Sequence, residues 1–166
     1  MTLVLLKKSA VINEIIPGLY LGDVDAASPE SILKNGIQVV VNISNSRYPE
    51  CPDVQYHHLD IVDDRRVDIS CFYQWFIDII NENMNKNKKI LVHCRNSVSR
   101  SVSFVLVYLV STGMTLRDAL IYLKSNRSQY SRPNVGFARQ LVEYEMSVHG
   151  KTTISVMEII NSYNQC

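Results

Sequence analysis

The sequence predicts a single α/β domain with a central, mainly parallel twisted sheet flanked by helices. Three observations carry that expectation. Short runs at 39–43 (VVVNI) and 90–92 (ILV) are apolar on both faces, as parallel strands covered by helices are. Segments with helical spacing alternate with these runs. The 166 residues, 46% of them hydrophobic, suffice for one core, and no repeat or low-complexity linker divides them.

Taken in order, Pro17-Gly18 set a turn into a short strand, Leu19-Tyr20-Leu21-Gly22. Ser28-Pro29-Glu30 opens a helix: Ser caps, Pro suits the first turn, and Glu faces the positive end of the dipole. Gly36 closes it. The run 39–43 is a buried strand and 56–61 a further one; His57 and His58 read as strand residues and 45–48 (NSRY) as ordinary loop. After Asp68-Ile69-Ser70 comes a helix with Phe72, Phe76, Ile79 and Ile80 on one face. Residues 90–92 form the next strand. Residues 101–111 are apolar on nearly all sides, too short for a bilayer, and placed where a buried helix belongs.

Thr115-Leu116-Arg117-Asp118 resembles a capping box, with Leu116, Ala119, Leu120 and Leu123 following at helical spacing. Asn134 caps a last helix expected to bury Phe137, Leu141 and Val148. The domain is placed at 1–148. The tail, 149–166, follows a break at Gly150 and carries Ile154, Val156, Met157, Ile160 and Tyr163 at near-helical spacing. It either packs back on the domain or pairs with a second copy in a homodimer. Cys166 ends it and is expected to be exposed.

With 17 Lys and Arg against 16 Asp and Glu, the charge balance points to neither a nucleic-acid partner nor a membrane surface. Cys51, Cys71, Cys94 and Cys166 show neither C-x-x-C nor zinc-finger spacing, so no metal is expected. The N-terminal residues show no cleavage signature, and free thiols suit the cytoplasm or the nucleus.

The chemistry concentrates in 91–101 (LVHCRNSVSRS). Cys94 stands directly after a buried strand, and Arg100 opens the helix six positions later. A strand-to-helix loop of this length can curl its backbone N–H groups toward one centre, at the positive end of a helix dipole. Arg95, Asn96, Ser97, Val98 and Ser99 would supply that ring. Arg100 would add a two-pronged contact to phosphate oxygens. The same ring favours a thiolate on Cys94, so one loop carries both the anion cradle and the nucleophile.

Cys-x5-Arg-Ser preceded by Val-His resembles the signature of the protein tyrosine phosphatase superfamily, and its surroundings resemble the dual-specificity branch, small atypical enzymes included. Leu19-Tyr20-Leu21-Gly22, Val41-Asn42-Ile43-Ser44, Asp63 ahead of Asp68-Ile69-Ser70, and Arg132-Pro133-Asn134 with Gly136-Phe137 stand in that family's order, over roughly 14–146. Val62-Asp63-Asp64 is particularly similar to poxviral members. The resemblance implies hydrolysis of phosphotyrosine and of phosphoserine or phosphothreonine in phosphoproteins, with no cofactor. It implies Cys94 as nucleophile, Arg100 as clamp, Asp63 as general acid with Asp64 as runner-up, and Ser101 as the group that steadies the departing thiolate. His93 is expected to hold the loop, and Asn134 to support it. One residue departs from the family: Ser97 stands where Gly is usual. Gly takes φ > 0 freely and Ser does not, so an alternative reading is a phosphoprotein-binding pseudophosphatase with impaired turnover.

Overall fold

The computed structural model describes residues 9–127 and 130–162. Five strands form one sheet in the order β1-β2-β5-β3-β4. They are β1 (Ile12–Ile16), β2 (Leu19–Gly22), β3 (Val39–Asn42), β4 (Gln55–His58) and β5 (Ile90–His93). All neighbours are parallel except β1, which joins β2 as an antiparallel edge. The fold is therefore the mainly parallel α/β sheet that the strand–helix alternation requires.

Side chains alternate across the sheet, and each face is covered by helices. Tyr20, Val40 and Leu91 point to α1 (Pro29–Asn35) and pack with Ala26, Ile32 and Ile37. Leu19, Leu21, Val39, Val41, Ile90 and Val92 point to the larger core on the other face. That core is built by α2 (Tyr73–Asn85), α3 (Arg100–Ser111), α4 (Leu116–Ser125) and α5 (Val135–His149). Every residue of α3 from Arg100 to Val110 is buried, so this helix is the central post.

The caps follow the residues that announce them. Ser28 and Thr115 accept from the amides of Ser31 and Asp118, and Gly36 ends α1 at φ 66°. Three details differ from the sequence expectations, and one reading falls outside what the structure describes. The edge strand β1 has only Ile15 buried, so it shows no clean alternation. The strand expected at 56–61 stops at His58, and Ile61 is buried in the loop beyond. Val148 is exposed, while Glu145 is buried in its place. Tyr163 and Cys166 lie outside the described residues.

Glu145 explains how the chain continues after α5. Its carboxylate accepts from the amide of Leu116, at the start of α4, and from the amide and hydroxyl of Thr153. The tail helix α6 (Val156–Asn161) is capped by Ser155 and Glu158 in a reciprocal box and buries Ile159 in the main core. Arg117 of α4 pairs with Glu158 at 2.8 Å. Among the described residues no helix is long and apolar enough to cross a membrane.

Phe104 joins α3 to α2, with ring centroids 5.2 Å from Phe76 and 5.9 Å from Tyr73. Phe104→Ala is expected to cost about 3–5 kcal/mol in urea unfolding, because a fully buried ring is lost from a core that cannot collapse around it. A loss below ~1 kcal/mol would show that α3 is not the central post.

Candidate active site

The central strand β5 delivers the chain to the C-terminal edge of the sheet, where residues 94–99 form a loop before α3 begins at Arg100. Backbone contacts set the shape of this loop. The carbonyl of Cys94 accepts from Nδ1 of His93 at 3.2 Å. That of Arg95 accepts from the amide of Val24 at 3.2 Å, and that of Val98 from the amide of Arg132 at 2.8 Å. The carbonyl of Ser97 accepts from Arg127 at 3.0 Å. In a trans peptide the C=O and the next N–H point opposite ways. Four outward carbonyls therefore turn the N–H groups of Arg95, Asn96, Val98 and Ser99 to the other side. Those of Arg95, Val98 and Ser99 find no acceptor among the described residues.

The helix end adds to this. Ser99 occupies the N-cap of α3 but makes no side-chain cap. Its hydroxyl donates instead to Asp63 at 2.8 Å. The first amides of α3 are thus left for an external acceptor, at the positive end of a buried helix.

Cys94 lies at the floor of the loop, 2% exposed, and Ser101 Oγ donates to its Sγ at 3.1 Å. Arg100 is also buried, and no carboxylate pairs with it among the described residues. Its Nη1 donates to the carbonyl of Ile61 at 2.9 Å, while Nε is buried without a partner. A guanidinium tied at one corner and unsatisfied at another can take an anion in a two-pronged contact. Ser97 holds φ 58°, the left-handed conformation that costs a non-glycine residue about 1 kcal/mol or more. The side chains of Arg95 and Asn96 are exposed at the rim, and Val98 is half-buried.

Of two adjacent carboxylates, Asp63 reaches the loop and Asp64 does not contact it among the described residues. Asp63 Oδ1 accepts from Ser99 Oγ and from Asn134 Nδ2, each at 2.8 Å. Oδ2 takes no hydrogen bond among the described residues. Asp64 is bound by Arg66 through two side-chain contacts and one amide, which hold its carboxyl well below the usual range. A carboxyl that clings to its charge is a poor proton donor, which counts against Asp64 for acid work.

α5 fixes this acid loop. Asn134 caps α5 through Phe137, donates its side chain to Asp63 and its amide to Ser99 Oγ. Gln140 accepts from the amides of Ile69 and Ser70 and donates to the carbonyl of Val67. Gly136 lets the backbone of Arg65 pass so close that a Cβ there would stand 1.9 Å from its carbonyl oxygen.

Residues 45–48 form a loop, as expected, and bring Tyr48 to the site. Tyr48 Oη lies 2.6 Å from Nε2 of buried His93. Because Nδ1–H must donate to the Cys94 carbonyl, Nε2 of the neutral ring accepts from the Tyr48 hydroxyl. Tyr48 and Arg127 are absent from any motif in the sequence; they stand 45 residues from His93 at the end of β5 and 30 from Ser97 in the loop, and no local pattern marks them.

The profile described as "Dual specificity phosphatase, catalytic domain" matches residues 19–147. The chain belongs to this family. It is 38% identical over 134 residues to dual specificity protein phosphatase 1 of Arabidopsis thaliana, covering 79% of this chain and 67% of that protein. It is 35% identical over 135 residues to human dual specificity protein phosphatase 22, covering 80% and 73%. Human dual specificity protein phosphatase 5 is longer: 37% identity extends over 81% of this chain but 36% of that protein. Among solved structures, a mouse putative dual specificity phosphatase complexed with zinc tungstate superimposes with a TM-score of 0.79 at 27% identity, covering 90% of this chain and 96% of that one. The Orf virus phosphatase OH1 shares the fold, with a TM-score of 0.65 at 20% identity and coverage of 84% and 87%.

In this dual specificity phosphatase domain, burial holds the His93 imidazole down at about 4. An unfolded histidine titrates near 6.5. The unfolded chain therefore takes up the proton first, and stability falls as pH drops from about 6.5 to about 4, where the loss is complete. Tyr48→Phe removes a donor that favours the neutral ring. It is expected to cost about 1 kcal/mol at pH 7 and less at pH 4.5, measured by urea unfolding. An equal cost at both pH values would mean that Tyr48 does not set the state of His93.

Proposed function

We propose that the domain is a cysteine-dependent phosphoprotein phosphatase acting on phosphotyrosine and on phosphoserine or phosphothreonine through a phosphocysteine intermediate. The observation that carries this reading is Arg100: a buried guanidinium, anchored to Ile61, with an unpartnered Nε beside a loop in which the amides of Arg95, Val98 and Ser99 lack acceptors among the described residues. Inorganic oxyanions such as tungstate have the tetrahedral shape that this fork and loop would accept.

In the first step the Sγ–phosphorus bond forms as the phosphorus–oxygen bond to the substrate breaks. Backbone N–H groups and Arg100 neutralise the phosphoryl oxygens, so the step needs no metal or cofactor. Protonated Asp63 gives its proton to the departing oxygen, Ser99 and Asn134 holding Oδ1 while Oδ2 serves the proton. In the second step water attacks phosphorus, Asp63 takes the proton, and the thiolate leaves with Ser101 donating to it. His93, buttressed by Tyr48, keeps the Cys94 carbonyl turned away from the phosphate.

We place the catalytic domain at 1–148, with 149–166 a tail that docks through Ile159 and Glu158. The partner is a phosphoprotein, and a cytoplasmic or nuclear setting suits the reduced thiol. Ser97 at φ 58° favours a second reading, a module that holds phosphoproteins without turnover.

The test is phosphate release from phosphotyrosine and phosphothreonine peptides by the reduced protein. Cys94→Ser is expected to abolish it. Asp63→Asn is expected to lower kcat by roughly 10²–10⁴ on peptides, and less on an aryl ester whose leaving group needs no proton. Peptide binding with no release in the unmodified protein would favour the second reading.

A further inference from the structure

The left-handed conformation of Ser97 must be held by something, because the residue is fully buried and cannot draw on solvent. The structure assigns that role to Arg127: we infer that it is a positioning residue which locks Ser97, and with it the phosphate loop, in the conformation that a glycine would adopt unaided. The inference rests on the phosphatase reading above and deepens it.

The geometry is specific. Arg127 directly follows the C-cap of α4 and is 7% exposed. Its Nη1 donates to the Ser97 carbonyl at 3.0 Å, and its Nη2 donates to Ser97 Oγ at 2.7 Å. Nη1 also lies 3.4 Å from Ser131 Oγ, ahead of the Arg132 amide that holds the Val98 carbonyl. One planar group thus grips a backbone oxygen and a side-chain oxygen of the same residue. The separation of those two oxygens is set by ψ and χ1 of Ser97, so the fork restrains that pair, and because Arg127 is itself anchored at the end of α4 it also fixes where the carbonyl lies and so limits φ. Holding the carbonyl outward keeps the Val98 N–H on the opposite side, with the other amides of the cradle. Burial makes the contact strong and its loss costly, since both oxygens would be left desolvated. The Ser97 hydroxyl, the very atom that a glycine lacks, is therefore the handle by which the conformation is enforced.

Four proteins test this: the unmodified chain, Arg127→Ala, Ser97→Gly, and the double variant. Each is assayed for kcat/KM on para-nitrophenyl phosphate and for orthovanadate affinity by calorimetry, with melting temperature as the check on folding. Glycine reaches positive φ without help, so Arg127 should matter much less in its presence. The expected result is that Arg127→Ala lowers kcat/KM and vanadate affinity about tenfold or more with Ser97 in place, and only about twofold in the Ser97→Gly background. Equal losses in the two backgrounds would overturn the inference. So would a melting temperature that falls while vanadate affinity stays the same, because Arg127 would then serve only general stability. Should the unmodified protein turn over no ester, the phosphatase reading fails, and vanadate affinity across the four proteins still decides the clamp. Should Arg127→Ala not fold, Arg127→Gln, which keeps bulk and one donor, is compared in the two backgrounds by the same criterion.

Discussion

The site depends on the outward tethering of four loop carbonyls. A peptide plane cannot point its oxygen and its N–H to the same side, so whichever groups capture the oxygens also aim the amides. His93, the Val24 amide, Arg127 and the Arg132 amide do the capturing. They come from the central strand, the loop after β2, the end of α4 and the approach to α5. The shape of the loop is a property of the whole domain, although the residues that line it are consecutive.

The acid loop obeys the same logic on a smaller scale. Asp63 and Asp64 are neighbours with identical side chains, and composition cannot rank them. Their partners can. Arg66 binds Asp64 and keeps it charged, whereas Asp63 meets neutral donors from Ser99 and Asn134. Ser99 links the two loops: its hydroxyl leaves the helix cap unmade, ties Asp63 to the loop after β5, and accepts from the Asn134 amide. Gly136 and Gln140 then hold the loop backbone against α5.

Much of the fold was legible because its signals are local. Ser28, Gly36, Thr115 and Asn134 cap helices wherever they fall at a helix end, and the buried runs at β3 and β5 are continuous. Legibility failed where a segment's role depends on what lies beside it. β1 carries a half-buried pattern that becomes a strand only by pairing with β2. Glu145 occupies a buried place among apolar residues because Thr153 and the Leu116 amide surround it, and no helical periodicity forecasts that. Residues 45–48 are loop by composition, and Tyr48 gains its contact only when β3 and β5 bring it over His93.

By itself the sequence determined the α/β class and the order of Cys94, Arg100 and Ser101 along a strand, a loop and one helix turn, and the candidate acid pair came with the family resemblance that those residues carry. Only the tertiary structure decided which carboxylate Arg66 binds, which one meets Ser99 and Asn134, and how a serine sits in a left-handed loop position. The reason is physical: protonation and backbone strain are set by charges and donors within a few ångströms, and here those donors, Arg66 excepted, arrive from distant parts of the chain.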